Sequence, residues 1–275
     1  MSGRLEGKVA IVTGGGRGIG CGVALLLAEE GTAVVVNDLG CEADGTGSSH
    51  APADRVVAEI EAAGGRAVAD YGDGSTMAVG ELLVSAAVDT FGGLDVLVNC
   101  GGVLAGGPIS QTTPEEFDRV VRSNVKGAFV PTRHAAAHFR RQRGGRIVNI
   151  TSNAGLGQAG RAGYAAASEA IVGLTRTVAR DLGKYGVTCN AIAAPSLPER
   201  WEGPSVPDDS ENVAPLAVVL CTDATLNVNG HVFGVGGGSI FIYSNPSIAR
   251  SIHKWGTFTV DEIAELAPRT LESGG

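Results

Sequence analysis

Thr13-Gly14-Gly15-Gly16-Arg17-Gly18-Ile19-Gly20 closes the apolar run Val9-Ala10-Ile11-Val12-Thr13 and opens a segment rich in alanine and leucine at 18–30. The order is strand, glycine turn, helix. Glycine lets the chain turn tightly and bring its backbone close to a pyrophosphate, which then rests on the free N–H groups of the helix N-terminus. Such a turn also serves plain chain reversal, so its surroundings decide. Asp38 follows the next apolar run, Ala33-Val34-Val35-Val36-Asn37, about 20 residues past the turn. A carboxylate there accepts hydrogen bonds from adenosine ribose hydroxyls and repels a 2′-phosphate. Gly14, Arg17, Gly18, Ile19, Gly20 and Asp38 are therefore expected to bind NAD in preference to NADP. Arg17 pulls the other way, because a cation beside the ribose tolerates a phosphate.

The same rhythm continues along the chain. Leu94-Asp95-Val96-Leu97-Val98 and Arg146-Ile147-Val148-Asn149-Ile150 are apolar with few polar interruptions, the pattern of strands buried on both faces of a parallel sheet. Weaker strand signals occupy 67–70, 187–192 and 231–235, and helical segments fall at 18–30, 52–63, 76–91, 114–142, 162–185 and 212–222. Strict alternation predicts one α/β domain over 1–275: a Rossmann-type, doubly wound parallel sheet of seven strands with helices on both faces. Two segments interrupt it. Residues 195–210 hold four prolines and four acidic side chains and read as a surface loop. Residues 240–275 read as a C-terminal helical extension, where Thr259-Val260-Asp261-Glu262 has the spacing of a capping box.

Composition narrows the function. The 275 residues are 44% hydrophobic and carry 21 Lys plus Arg against 29 Asp plus Glu, a net charge of −8. That balance argues against a nucleic-acid partner, whose binding needs a basic face to release counterions. The short run Arg140-Arg141-Gln142-Arg143 suits a solvated helix end. No apolar run approaches the roughly 20 residues of a membrane span, and the polar N-terminus lacks the apolar middle of a signal peptide. Five well-separated cysteines suggest neither a disulfide framework nor a zinc site. His134 and His138, one helical turn apart, have no third ligand in view. The expectation is a reduced, cytoplasmic protein with no metal and no membrane partner.

The spacing Thr-Gly-x-x-x-Gly-x-Gly resembles that of the short-chain dehydrogenase/reductase family, and further landmarks follow in order. Asn99-Cys100-Gly101-Gly102 stands after the fourth strand and Asn124 lies within Ser123-Asn124-Val125-Lys126-Gly127. Ser152 follows the fifth strand, Tyr164 comes twelve residues later, and 190–195 ends in Pro195. Asn37-Asp38-Leu39-Gly40, Gly45-Thr46-Gly47-Ser48-Ser49 and Asn229-Gly230-His231-Val232-Phe233-Gly234-Val235-Gly236 are similar, more narrowly, to the 3-hydroxyacyl-CoA dehydrogenase part of multifunctional enzyme type 2 and its bacterial relatives. The resemblance implies oxidoreductase chemistry on a hydroxyl/keto pair, of a 3-hydroxyacyl-CoA or a steroid-like or alicyclic relative. It implies Asn99, Cys100, Gly101 and Pro195 around the cofactor, Asp70 and Tyr71 at the adenine, and 195–210, with Trp201, as a substrate lid. It also implies dimers or tetramers, through the helices at 114–142 and 162–185, of this chain alone or with a related dehydrogenase.

In that family a tyrosine phenol exchanges a proton with the substrate oxygen, a serine orients that oxygen, and an asparagine supports a water relay. A lysine four residues past the tyrosine lowers the phenol's pKa and holds the nicotinamide ribose. The resemblance thus implies Tyr164, Ser152 and Asn124 as catalytic residues. The lysine is absent. Tyr164-Ala165-Ala166-Ala167-Ser168 puts Ser168 in its place, on the same helix face, with a hydroxyl but no charge. A free phenol has a pKa near 10, so losing the cation is expected to cost roughly a hundredfold in rate. Cys100, and Ser196 after Pro195, are further departures from the family pattern. Two expectations follow: an NAD-dependent oxidoreductase working alone, or a catalytically impaired NAD-binding subunit assembled with an active relative.

Overall fold

A computed structural model describes residues 3–42, 44–194, 209–236 and 238–271. Its sheet is built from β1 (Val9–Thr13), β2 (Ala33–Asn37), β3 (Arg66–Asp70), β4 (Val96–Asn99), β5 (Gly145–Thr151), β6 (Val187–Ala193), β7 (Val232–Gly236) and β8 (Ser239–Ile242). The strand order is β3-β2-β1-β4-β5-β6-β7-β8. Strands β1 to β7 are parallel, as the unbroken apolar runs predict, and β8 is antiparallel to β7. The eighth strand is one more than expected. It lies at the start of the segment read as an extension, where Gly234 leaves room for the Phe241 ring opposite it.

Helices α1 (Gly18–Glu29), α2 (Ala51–Ala62), α3 (Met77–Phe91), α4 (Pro114–Val120), α5 (Gly127–Gln142), α6 (Ala162–Gly183) and α7 (Asp209–Leu220) complete the fold. Alternate residues along each strand feed two cores. Ala10, Val12, Val34, Val36 and Val98 pack with Leu27, Ile60 and Val213 of α1, α2 and α7. Ile11, Val35, Leu97 and Ile147 pack with Leu83, Phe139 and Leu182 of α3, α5 and α6 on the other face. Helix α7 begins at Asp209, ahead of the predicted 212, and the rest of the predicted lid, 195–208 with Trp201, lies outside the described residues.

The helix expected over 114–142 is not uniform. Between α4 and α5 the stretch Val121–Lys126 is π-helical, and the side chain of Asn124 within it holds the backbone of Val103. One extra residue per turn changes which side chains face the sheet edge, a device frequent at functional sites. The chain divides into two compact units, Met1–Tyr243 and Ser244–Gly275. In the second, α8 (Val260–Thr270) starts at the predicted capping box, with Thr259 Oγ1 accepting the Glu262 N–H at 3.3 Å and Glu262 Oε2 accepting the Thr259 N–H at 2.8 Å. Among the described residues no helix is long and apolar enough to cross a membrane.

Candidate active site

Two adjoining clefts open at the C-terminal ends of β1 and β4, where the strand order reverses direction, the usual ligand position in such sheets. They share Gly14, Arg17, Cys100, Gly101, Gly102 and Val103. The turn between β1 and α1 fits its glycines tightly. Gly14 has φ +63°, and a Cβ there would stand 2.6 Å from Gly101 Cα. A Cβ on Gly20 would stand 2.0 Å from the Gly14 carbonyl oxygen. The N-terminus of α1 has no side-chain cap and no acid in its first turn, so its N–H groups are left for an anion such as a pyrophosphate.

Asp38 lines the first cleft and is fixed there by the turn itself. Its Oδ2 accepts the Gly16 N–H at 2.8 Å and its Oδ1 accepts the Gly40 N–H at 2.7 Å. Each oxygen keeps a lone pair for a ribose hydroxyl. Two cations flank it: Arg17 donates to the Cys41 carbonyl at 3.0 Å, and Arg55, not singled out by the sequence, donates to the Gly16 carbonyl at 3.0 Å.

The far wall of this cleft differs from expectation. Asp70 turns to Asn37 Nδ2 and the Gly72 N–H, and Tyr71 donates to Asp54 while stacking on His50. Neither lines the cleft; Gly72, Asp73, Gly74 and Ser75 do. Asn99 also turns away, into a buried chain in which its Nδ2 donates to Asn149 Oδ1 and Thr132 Oγ1, and Asn149 donates to Thr175. Ile19 and Gly20 face the second cleft, Gly18 the first. Burial pushes the Cys100 thiol pKa up, with Cys221 adding to the effect. Pro195 and Ser196 lie outside the described residues.

The second cleft brings Asn124, Tyr164 and Ser168 together. Asn124 Oδ1 accepts the Val103 N–H at 2.9 Å and its Nδ2 donates to the Val103 carbonyl at 3.1 Å. Ser152 does not line the cleft; its hydroxyl caps the short 3-10 turn Asn153–Leu156 by accepting the Ala154 N–H at 3.2 Å. The hydroxyl residue of the β5 end that lines the cleft is Thr151, one place earlier. Thr151 Oγ1 donates to the Ser168 carbonyl, and Ser168 Oγ donates to the Tyr164 carbonyl, both at 2.8 Å.

Charge is scarce around the phenol. Among the described residues lining the second cleft, Arg17 alone is charged, and its guanidinium is held by Cys41; Arg161 and Arg176 do not line it. Among the described residues no group of three His, Cys, Asp or Glu side chains is arranged to hold a metal, and His134 packs on Gly80 instead. Arg140, Arg143 and Lys184 gather around the Tyr185 ring, 5.4 to 5.8 Å from its centre, at the C-terminal ends of α5 and α6. That is the end of the sheet away from both clefts.

Comparison with known proteins agrees with this fold. A sequence model of the short chain dehydrogenase family matches residues 8–198. The chain is 41% identical over 86% of its length to the peroxisomal multifunctional enzyme type 2 of Mus musculus, covering 32% of that protein; it thus spans about a third of that relative. It is 37% identical over 92% of its length to a hydroxyacyl-CoA dehydrogenase of Mycobacterium tuberculosis, covering 84% of it. A crystal structure of a short chain dehydrogenase from Mycobacterium avium superposes with a TM-score of 0.87 and 42% identity, covering 98% of this chain and 96% of that one.

Proposed function

The chain belongs to the short-chain dehydrogenase family, and within it we propose an NAD-binding subunit for a hydroxyl/keto pair of the 3-hydroxyacyl-CoA class that catalyses poorly by itself. The observation that carries this reading is Ser168. Its hydroxyl is spent on the Tyr164 carbonyl, and the one cation among the described residues lining that cleft, Arg17, donates to the Cys41 carbonyl.

The residues present suit a dinucleotide. Asp38 offers lone pairs to ribose hydroxyls, the uncapped α1 N-terminus offers N–H groups to a pyrophosphate, and the close Gly14–Gly101 approach admits only glycine in the turn. When bound, NAD supplies the hydride acceptor or donor. Tyr164 is then the proton-exchanging group, facing a substrate oxygen in the second cleft, and Asn124 fixes the Val103 backbone that walls it. Ser168 offers no charge to assist that proton exchange. The hydroxyacyl-CoA name of the mycobacterial relative supports the substrate class.

An active partner would bring the missing lysine in its own site. Phe117 and Phe129, on α4 and α5, are 41% and 44% exposed and suit burial against a related subunit. A cytoplasmic address belongs to the same proposal and is checked by cell fractionation. The second reading, an enzyme competent alone, draws on Tyr164 and Thr151 lining one cleft.

One experiment separates them. Purified chain is titrated with NADH by fluorescence and assayed for NAD-dependent oxidation of 3-hydroxyacyl-CoA, alone and mixed with a lysine-bearing relative. The proposal expects binding, slow turnover alone, and co-purification with the relative. Ordinary dehydrogenase turnover by the chain alone would establish the second reading; absence of NADH binding would defeat both.

A further inference from the structure

The π-helical stretch Val121–Lys126 touches both clefts. Ser123 lines the first and Asn124 the second. Arg122, just before them, reaches across to the loop after β3. Its Nη2 donates to Asp73 Oδ2 at 2.7 Å and its Nε donates to Ser75 Oγ at 3.1 Å. Asp73 Oδ1 in turn accepts the Ser75 N–H at 2.9 Å and the Ser75 hydroxyl at 2.7 Å. Both oxygens of Asp73 are thus committed, one to the loop's own serine and one to the guanidinium. The loop so closed, Gly72 to Ser75, lines the first cleft together with Asp38.

We propose that Arg122 is a positioning residue for the adenine end of the dinucleotide: it grips Asp73 and Ser75 from the same π-helical stretch that carries Asn124, and so fixes the wall against which the adenine lies. This rests on the NAD-binding reading above. Two features argue that the grip is more than a surface ion pair. The guanidinium engages two residues at once through a planar fork that a lysine cannot reproduce. The loop it closes contains two glycines, Gly72 and Gly74, which by themselves leave the backbone free to sample other shapes. Arg122 does not itself line either cleft, so its effect on a ligand is through Asp73 and Ser75.

The test compares ligands that carry the adenine with one that does not. Dissociation constants are measured for NADH, ADP-ribose and reduced nicotinamide mononucleotide on wild type, Arg122→Met and Arg122→Lys. The pair is more than half exposed on the arginine side, so a modest effect is expected: roughly fivefold weaker NADH and ADP-ribose binding in Arg122→Met. The mononucleotide should bind as in wild type, and Arg122→Lys should recover only part of the loss. Amide hydrogen exchange at 72–75 should quicken in Arg122→Met without ligand. Unchanged NADH and ADP-ribose binding in a folded Arg122→Met protein would overturn the inference and leave the NAD reading standing. Equal weakening of all three ligands would also overturn it, since that marks a general structural loss. A wild type that binds none of the three would overturn the NAD reading and the inference together.

Discussion

Thr151 and Ser168 are joined by a 2.8 Å hydrogen bond from the threonine hydroxyl to the serine carbonyl, and Ser168 passes its own hydroxyl back to the Tyr164 carbonyl at 2.8 Å. The end of β5 and the first turns of α6 are therefore laced together beside the phenol. The lacing puts no positive charge beside Tyr164. A serine bonded to the carbonyl four residues back is a common resting arrangement in helices. It is a structural solution to a position whose side chain faces the reaction space.

Ser168→Lys should raise the rate of hydroxyacyl-CoA oxidation. Position 168 lines the cleft with Tyr164, so an ammonium there sits near the phenol and favours its ionised form. A gain of roughly tenfold to a hundredfold in kcat is expected. The added substitution Tyr164→Phe should erase the gain. A Ser168→Lys protein that binds NADH yet turns over no faster would show that the missing lysine is not what limits catalysis.

Thr151 and Ser152 give opposite predictions. Ser152→Ala removes the cap of the 3-10 turn at Asn153–Leu156, costing about 1 kcal/mol of stability and leaving residual turnover unchanged. Thr151→Val removes the hydroxyl that lines the cleft and ties Ser168 in place, and residual turnover should fall several-fold. Thermal melts and steady-state assays on the two variants separate the roles. The reverse pattern would return the substrate-orienting role to Ser152.

Much of the fold was legible because parallel strands buried on both faces are mostly apolar, although Thr188 and Asn190 weaken the signal of β6. Ala33–Asn37 and Val187–Ala193 are buried at every position. The glycine turn was legible for a similar reason: no other residue fits where Gly14 meets Gly101. What escaped was direction and register. Nothing in Asp70-Tyr71-Gly72-Asp73 says which acid turns inward to Asn37 and which faces the cleft, since that depends on Asn37 and Arg122, far away in the chain. The π-helical turn escaped because a helix-wide periodicity cannot register one inserted residue. Strand β8 escaped because four residues are too few to show alternation, and its partner β7 supplies the reason it pairs.

Asp73 predicts a pH effect on stability. Partial burial alone would raise its pKa, but hydrogen bonds from Ser75 and the Arg122 guanidinium outweigh this and hold it below the ordinary carboxylate value. A group depressed on folding stabilises the native state above its unfolded pKa, about 3.9, and that contribution is lost as pH falls through the lower folded value. Melting temperatures measured from pH 7 to pH 2.5 should fall less steeply below pH 4 in Asp73→Asn than in wild type. Identical acid limbs would mean the Asp73 carboxylate is no more stabilised in the native state than in the unfolded chain.

On the proposed NAD reading, cofactor choice would turn on Asp38, with Arg17 held by the Cys41 carbonyl and Arg55 by the Gly16 carbonyl. Asp38 accepts the Gly16 and Gly40 N–H groups, while Arg17 lines both clefts and Arg55 holds the Gly16 carbonyl. On that reading, a 2′-phosphate would meet the carboxylate's charge first, and the repulsion would favour NAD. By the same reading, Arg17 and Arg55 would attract a phosphate once the carboxylate is removed. Asp38→Ser keeps a hydroxyl for the turn's N–H groups and removes the charge. NADH affinity should fall about tenfold, the scale of losing hydrogen bonds to a charged acceptor, while NADPH affinity rises and becomes steeply salt-dependent through Arg17 and Arg55. Adding Arg17→Ala should take back much of the NADPH gain. If NADH and NADPH titrations of Asp38→Ser keep the wild-type order of preference, selectivity resides elsewhere in the cleft and the reading of Asp38 fails.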